Sequence, residues 1–254
     1  MRVIAIINEK GGVGKTTTTA NLGGAIAAAG KKVLLIDIDK QSSLTKLVGF
    51  KVGDSYQADK TVNEVLMGVI EAKEAIYPKR KNLWVMPSSS VMGDTEYALF
   101  LKMGREKILK NAMADVNKYD YILIDCPPSL GLITVNALAF ASEIFVVMQP
   151  EPSSLQGMDQ LLKSYAEIKK NINHDLEVTG VVFSMAEPKT IHRQIEEHLR
   201  ENLKDLVFKT VVPRRVVYTE ASGQGQLIDE YRPKSEEAEI MRSLASEVMK
   251  RKKK

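Results

Sequence analysis

The sequence contains one cysteine, Cys126, in 254 residues. A single cysteine cannot form a disulfide within the chain, and it excludes a metal site built from several cysteines of one chain. Long apolar runs are also missing. The N-terminal run covers only residues 3–7, whereas a membrane-spanning helix needs roughly 18 or more apolar residues. We therefore expect a protein of a reducing compartment, the cytoplasm, without a membrane span.

The charge of the chain is nearly balanced. It has 36 Lys and Arg against 32 Asp and Glu, a net charge of +4. Such an excess permits contact with nucleic acid or an anionic membrane but requires neither. With 44% hydrophobic residues, the chain is long enough to bury one large core. We expect a single domain over residues 1–254.

Short runs rich in Val, Ile and Leu recur along the chain and predict buried strands. They cover residues 2–7, 32–36, 82–86, 120–124, 143–148, 177–183 and 206–212. Because these runs do not alternate polar with apolar residues, they fit strands covered on both faces. Some could be buried helix segments, but their β-branched composition favours strands. The spacing predicts a doubly wound α/β fold, with a mostly parallel sheet and helices on both faces. We interpret residues 49–60 as an exposed loop.

The C-terminus predicts a helix over about residues 235–250, followed by a basic tail over residues 250–254. Met241, Leu244, Ala245 and Val248 recur at helical spacing. This stripe fits packing on the chain's own core better than insertion into a membrane. The terminal basic residues fit a solvated helix end, because cations favour the C-terminal end of the helix dipole.

A strand followed by a glycine-rich loop and an alanine-rich helix predicts a phosphate site near the N-terminus. The loop reads Lys10-Gly11-Gly12-Val13-Gly14-Lys15-Thr16-Thr17. Glycines let backbone amides surround phosphate oxygens, and the following helix presents its positive end. Lys15 would contact the β and γ phosphates, and Thr16 would ligate Mg²⁺. The usual P-loop pattern has glycine where this chain has Glu9.

Two predicted strands end in aspartates. Asp37 and Asp39 follow one of them, and Asp125 follows another. Ligands of doubly wound sheets bind beyond the C-terminal strand ends, so these carboxylates are expected near the nucleotide. We interpret Asp125 as a Mg²⁺ ligand, and Asp39 as a residue that orients the attacking water or contacts the metal. The alternative for each is a turn or helix-cap residue.

These motifs resemble the ParA/Soj/MinD family of deviant Walker-A ATPases, and within it the ParA-like DNA-partitioning branch. The resemblance covers nearly the whole chain. Its main segments are Lys10 to Thr17, then Leu34 to Asp39 with Gln41, and Tyr119 to Pro128; Val212-Pro213-Arg214, Glu220-Ala221 and Leu244 to Val248 also match.

The resemblance implies an ATPase that uses ATP and Mg²⁺, with Lys10, Lys15 and Asp39 as catalytic residues. It implies that Lys10 reaches across a two-fold axis to the phosphates of a partner subunit. It also places Pro213 in a loop beside the adenine. Two segments depart from the family. Relatives usually have Pro-Gln-Gly-Asn where this chain has residues 40–43, and Tyr-Asp with basic residues where it has residues 186–190.

The leading hypothesis is a nucleoid-associated DNA-partitioning ATPase. ATP would close a homodimer that binds DNA without sequence preference, and a ParB-like centromere-binding protein would trigger hydrolysis. Candidate DNA contacts are Arg214 and Arg215, then Lys189, Arg193 and the terminal lysines. The alternative is a MinD-like membrane-cycling ATPase, but the C-terminal helix has no Trp or Phe for the lipid interface. The sequence leaves open whether the cargo is a plasmid or a chromosome.

Overall fold

The computed structural model describes residues 1–53 and 58–251, and it contains an eight-stranded sheet. The strand order is β3-β4-β2-β5-β1-β6-β7-β8. All neighbours pair in parallel except β3 and β4. The strands are β1 Arg2–Ile7, β2 Val33–Asp37, β3 Tyr77–Arg80, β4 Leu83–Met86, β5 Tyr121–Asp125, β6 Glu143–Met148, β7 Glu177–Ala186 and β8 Val207–Pro213.

Helices cover both faces of this sheet. In chain order they are α1 Lys15–Ala28, α2 Ser43–Leu47, α3 Val62–Met67, α4 Met92–Leu99, α5 Ile108–Ala112, α6 Leu132–Phe140, α7 Pro152–Asn171, α8 Thr190–Leu203, α9 Val216–Gly223, α10 Ile228–Tyr231 and α11 Glu236–Lys250. Short 3₁₀ turns lie at Ala72–Ala75, Arg105–Lys107 and Lys204–Leu206. The predicted doubly wound α/β fold is confirmed.

All seven predicted strands are present, and one additional strand, β3, was missed. Its sequence Tyr-Pro-Lys-Arg carries a proline and two cations and has no apolar run. Proline cannot donate a hydrogen bond to a neighbouring strand. It is therefore tolerated at a sheet edge, where one side of the strand has no neighbour. β3 occupies such an edge and pairs antiparallel with β4.

The core consists of two layers, one on each face of the sheet. Ile36, Ile124 and Val146 point into the layer formed with α3 to α7. Ile6 and Leu35 point into the layer beneath α1 and α11. This packing fixes the C-terminal strand ends, where β1, β2 and β5 lie side by side.

The C-terminal helix packs on the protein's own core. Met241, Leu244 and Val248 on α11 are buried. Arg251 does not form a solvated helix end as predicted. Its guanidinium lies 3.7 Å from the Phe208 ring centroid and donates to the carbonyls of Thr179, Leu206 and Val207. The stacked side chain buries its stem while those carbonyls satisfy its donors.

The remaining expectations concern the basic tail, the exposed loop and the lack of a membrane span. Residues 252–254 of the basic tail and 54–57 of the expected loop lie outside the described residues. The flanks of that loop are exposed only in part, because Gly49, Lys51 and Asp59 are exposed while Phe50 and Ala58 are buried against the core. Among the described residues, no helix combines the length and apolar character that a membrane span requires.

Candidate functional site

The glycine-rich loop lies between β1 and α1 and leaves the first turn of α1 open to an anion. Gly12 and Gly14 have φ values of 75° and 86°, a region that favours glycine. A Cβ on Gly14 would lie 2.5 Å from the Ser184 Oγ, so the loop also packs closely on β7. Gly14 occupies the N-cap position of α1 without a side-chain cap, and the first turn has no acidic residue. The amides there can bind phosphate oxygens.

Lys15, the first residue of α1, has a buried side chain. Burial lowers its pKa, an effect that the negative charge of Asp125 opposes. Its Nζ donates to the Lys10 carbonyl at 3.0 Å. A buried ammonium beside open backbone amides suits the β and γ phosphates of a nucleotide.

A cavity of about 610 Å³ opens over this loop. Such a volume is typical of a small-molecule site. Its walls come from the loop, the segment after β2, and the ends of β5, β7 and α9. The lining residues are Gly11, Gly12, Gly14, Lys15, Thr16, Thr17, Asp39, Gln41, Ser43, Lys46, Leu47, Pro128, Met185 and Ser222. Val13, a residue of the loop itself, is buried.

Asp125 lies at the end of β5, beneath the start of α1. Its carboxylate accepts hydrogen bonds from the Thr16 hydroxyl at 2.7 Å and the Thr19 hydroxyl at 3.2 Å. Burial raises the pKa of Asp125, and the nearby Asp37 raises it further. A divalent cation would offset the repulsion between the Asp125 and Asp37 carboxylates, so the pairing of Thr16 with Asp125 fits Mg²⁺.

Asp37 was expected near the nucleotide from its place at a strand end, but the sequence assigned it no role of its own. It is buried and pairs in register with Asp125 across β2 and β5. Its carboxylate accepts from the Asp39 amide at 3.1 Å and from the Thr45 amide and hydroxyl at 2.8 and 2.7 Å. Burial raises the pKa of Asp37. Asp37 thus fixes the segment that carries Asp39. Its place at the end of a buried strand was the available signal.

Asp39 lies on the cavity wall and is partly exposed. One of its oxygens accepts from the Gln41 amide at 3.0 Å. Within the same turn, Ser42 has a φ of 50°, in the left-handed region that favours glycine. A serine in this left-handed region costs roughly 1 kcal/mol relative to glycine. The turn nevertheless keeps this geometry, with Ser42 buried.

Lys10 points away from the cavity. It is not among the cavity-lining residues, and its side chain is 43% exposed. The ammonium pairs with the Glu151 carboxylate, just before α7, and lies 3.5 Å from the Ser153 hydroxyl. A cation in this position is available to a molecule that faces the loop.

Pro213 is not in a loop, contrary to expectation. It is the last residue of β8 and pairs with Ala186 of β7. The parallel pairing extends one residue further than the apolar run suggested, because the Arg214 amide also donates to the Ala186 carbonyl. Pro213 is absent from the residues that line the cavity.

The basic candidates lie near this end of the sheet and have acidic partners. Arg214 pairs with Glu187 at 2.9 Å, and Lys189 pairs with the same carboxylate. The structure thus brings Arg214 and Lys189 together. Hydrogen bonds from Lys189, and to a lesser degree from Arg214, lower the pKa of Glu187. Arg193 pairs with Glu197 at 3.9 Å and Arg215 with Glu237 at 3.7 Å. All four cations are exposed.

Comparison with known proteins identifies the family. A model described as an AAA domain matches residues 1–178. The chain is 40% identical to the sporulation initiation inhibitor protein Soj of Bacillus subtilis over 97% of this chain and 98% of that one. It is 37% identical to the chromosome partitioning protein ParA of Caulobacter vibrioides, covering 99% and 95% of the two chains.

A solved structure with Mg-ADP shares the fold. The septum site-determining protein MinD of Pyrococcus horikoshii superposes with a TM-score of 0.80 at 29% identity, over 98% of this chain and 96% of that one. The chain belongs to the ParA/Soj/MinD family. As a member of this family it is a P-loop ATPase that uses ATP and Mg²⁺.

The buried carboxylates give this ParA/Soj/MinD-type ATPase a testable pH dependence. Because folding raises the pKa of Asp125 to about 8, the contribution of this one group to stability is greatest below the ordinary carboxyl pKa of about 4 and is lost as pH rises through the elevated value. We expect Asp125→Asn to raise the melting temperature in EDTA at pH 8 by a few degrees, while abolishing the stabilisation by Mg-ATP.

Calorimetry of Asp125→Asn beside Asp39→Asn checks this expectation. Asp39 is partly exposed, so its amide variant serves as the matched control and should shift the melting temperature little. Equal melting temperatures for wild type and Asp125→Asn at pH 8 in EDTA would show that the Asp125 carboxylate does not destabilise the metal-free fold.

Proposed function

We propose that the chain is a DNA-partitioning ATPase, in which ATP closes a homodimer that binds DNA without sequence preference. A ParB-like centromere-binding protein then triggers hydrolysis and release. The observation that carries the proposal is the position of Lys10, which borders the nucleotide cavity yet points out of it. The names of the relatives Soj and ParA support the same biological role. The proposed location is the cytoplasm, on the nucleoid.

The proposed roles of the site residues follow from their positions. The chain acts as one ATPase unit, in which the amides of Gly11 to Thr17 and the Lys15 ammonium hold the phosphates. Thr16 and Asp125 hold Mg²⁺, which neutralises charge on the phosphates during transfer. Asp39 orients the attacking water, and Lys10 contacts the phosphates bound by the second subunit. Because Pro213 does not line the nucleotide cavity, we assign it no contact with the base.

In the proposed complex, the basic side chains that contact DNA phosphates are ones that now form ion pairs with glutamates. Arg214 and Lys189 share Glu187, so DNA phosphates would compete with one carboxylate for two cations. Exposed ion pairs contribute at most about 1 kcal/mol. Exchange of Glu187 for a DNA phosphate is therefore inexpensive, and these side chains remain candidates for DNA binding.

The MinD-like membrane alternative has less support. In that alternative α11 would present an apolar face to lipid, but Met241, Leu244 and Val248 contact the core. The experiment that separates the two functions compares binding to random-sequence duplex DNA with flotation on anionic liposomes, each with ATP and with ADP. We expect ATP-dependent binding to DNA alone. Flotation without DNA binding would favour the membrane alternative.

Replacement of both Arg214 and Arg215 by Ala should weaken binding to all DNA sequences alike. Each lost phosphate contact also reduces the salt slope by about 1. Fluorescence anisotropy at several salt concentrations measures both effects. The matched control is Arg232→Ala, another exposed arginine that pairs with a glutamate. Unchanged affinity of the double variant at every salt concentration would place the DNA surface elsewhere.

Asp39→Ala should bind ATP normally but hydrolyse it slowly, because a water-orienting carboxylate acts on the reaction more than on ground-state binding. We expect a loss of roughly 100-fold in kcat, the usual range for a general-base or positioning group, together with accumulation of the ATP-bound dimer. Phosphate-release kinetics and light scattering measure the two quantities. Wild-type turnover with monomeric protein would remove Asp39 from the mechanism.

A further inference from the structure

The N-terminus of α6 is capped by a side chain from another helix. Gly131, the N-cap residue of α6, provides no side-chain cap, and the first turn of α6 contains no acidic residue. The carboxylate of Glu96, on α4, takes that place, because its Oε1 accepts a hydrogen bond from the Ile133 amide at 3.3 Å. A carboxylate there satisfies a free amide and complements the positive end of the helix dipole. Glu96 thus joins α4 to the start of α6.

Gly131 makes room for this carboxylate. Its φ of −80° and ψ of −177° are open to any residue, so its backbone conformation does not require glycine. A Cβ at this position would instead lie 2.5 Å from the Glu96 Oε1, closer than the two atoms can approach. The absence of a side chain at residue 131 is therefore matched to Glu96.

The Glu96 carboxylate is held by α6 rather than by a basic side chain. Within residues 1–53 and 58–251, it pairs with no lysine or arginine, and its one hydrogen bond is the bond from the Ile133 amide. The side chain is half-buried. A partly desolvated carboxylate is costly unless it is hydrogen-bonded, so the amide at the start of α6 determines where this carboxylate lies.

The segment between β5 and α6, residues 126–131, forms part of the wall of the nucleotide cavity. It begins directly after Asp125, and Pro128 within it lines the cavity. Its other end is tied to the first turn of α6, because the Thr134 hydroxyl donates to the Ser129 carbonyl at 2.6 Å. A side chain that fixes the first turn of α6 therefore also fixes this segment.

The same helix is tied to the other aspartate segment of the site. On α4, Thr95 accepts a hydrogen bond from the Asn63 side chain at 3.1 Å, and the oxygen of that side chain accepts from the Ser89 amide at 3.2 Å. The amide of the preceding residue donates to the Thr45 hydroxyl at 3.0 Å. Thr45 in turn donates to Asp37 at 2.7 Å. Two adjacent residues of α4 therefore connect to the two segments that carry the aspartates.

We infer that Glu96 is a positioning residue for ATP hydrolysis. It holds residues 126–131 through the N-terminus of α6 and so keeps Asp125 aligned with Asp39 across the cavity. The nucleotide itself is held by the loop of residues 11–17, so Glu96 acts on the reaction rather than on binding. The inference rests on the proposed roles of the two aspartates.

Cys126 reports on this segment without nucleotide or metal. It is the one cysteine of the chain, lies in the segment and is 1% exposed, so a thiol reagent reacts with it only when the protein opens locally. We expect Glu96→Ala to speed labelling by at least about fivefold, the change in open population for one lost hydrogen bond. Glu96→Gln keeps an acceptor oxygen and should label at close to the wild-type rate.

Gly131→Ala removes the contact without changing Glu96. The added methyl group displaces the end of a flexible side chain, and alanine restricts the unfolded chain more than glycine does. We therefore expect a melting temperature equal to or above that of wild type, together with faster Cys126 labelling, as in Glu96→Ala. In the double variant, the second substitution should add no further effect, because both remove the same contact.

Basal turnover and titration with a slowly hydrolysed ATP analogue separate the reaction from binding. We expect Glu96→Ala and Gly131→Ala to lower kcat by roughly tenfold, as for a small misplacement of reacting groups, while the affinity for the analogue stays near wild type. The matched control is Glu74→Ala. Glu74 is also a capping carboxylate, which accepts from the Glu71 amide at 3.0 Å, but it does not line the cavity. Its variant should keep wild-type labelling and kcat.

Three results would count against the role of Glu96. Wild-type labelling of Cys126 in both variants would show that Glu96 does not hold the segment. Faster labelling with wild-type kcat would limit Glu96 to a structural role, and weaker nucleotide binding with unchanged kcat would place its effect on the ground state. An Asp125→Asn variant that Mg-ATP still stabilises would contradict the Asp125 assignment instead, whatever the labelling rates show.

Discussion

Replacement of Lys15 by Ala is expected to abolish measurable ATP binding. The ammonium is buried at the start of α1, in a cavity whose other phosphate ligands are backbone amides. Hydrogen bonds to charged groups contribute about 1.5–3 kcal/mol each. Two such bonds to the β and γ phosphates therefore correspond to a loss of roughly 100-fold or more in affinity.

Isothermal titration with ATP and Mg²⁺ measures the effect of Lys15→Ala. Lys31→Ala is the matched control, because Lys31 is an exposed lysine just beyond the other end of α1. Since Lys15 donates to the Lys10 carbonyl in the present structure, circular dichroism should accompany the titration to show that the loop variant is folded. Near-wild-type affinity in a folded variant would overturn the assignment of the phosphate site.

Replacement of Lys10 by Ala is expected to leave ATP binding by the monomer largely intact and to prevent formation of the closed dimer. Gly11 and Gly12 line the nucleotide cavity, while Lys10 lies outside it and pairs with Glu151. In a closed dimer, two sets of phosphates would face each other across a short gap. A cation between them reduces a repulsion that is strong at short range and low dielectric.

Loss of Lys10 should therefore reduce dimerisation, hydrolysis and DNA binding together. Sedimentation with a slowly hydrolysed ATP analogue measures the dimer. Glu151→Ala is the informative control, because it removes the partner of Lys10 in the same chain but keeps the cation, and it should still dimerise. A normal dimer population for Lys10→Ala would mean that the lysine serves only its own subunit.

Much of the fold could be predicted because its signals are local. The buried strands β1, β2 and β5 are apolar over most of their length, and a polar residue at or just after the last strand position marks the exit of each from the sheet. The edge strand β3 lacked such a signal, since an edge position tolerates proline and charge. Its pairing with β4 depends on tertiary contacts that composition does not reveal.

In the candidate site, too, the features with local sequence signals could be predicted and those that depend on tertiary contacts could not. Lys15, Thr16 and Asp125 could be singled out because strand ends and a glycine-rich loop are local patterns, and the structure brings all three together. The environment of Asp37 could not be predicted, because its partner Thr45 lies eight residues further along the chain, in α2. The turn that precedes α2 contains Ser42 in the left-handed region. Likewise, the ion pair of Lys10 with Glu151 joins residues 141 positions apart.

The central claim is that ATP switches the chain between a monomer and a dimer that binds DNA. Analytical ultracentrifugation of the wild-type chain with labelled random-sequence duplex tests it directly, with Mg²⁺ and either a slowly hydrolysed ATP analogue or ADP. We predict DNA-bound dimer with the analogue and free monomer with ADP. A monomer in both states, or equal DNA binding with both nucleotides, would contradict the switch.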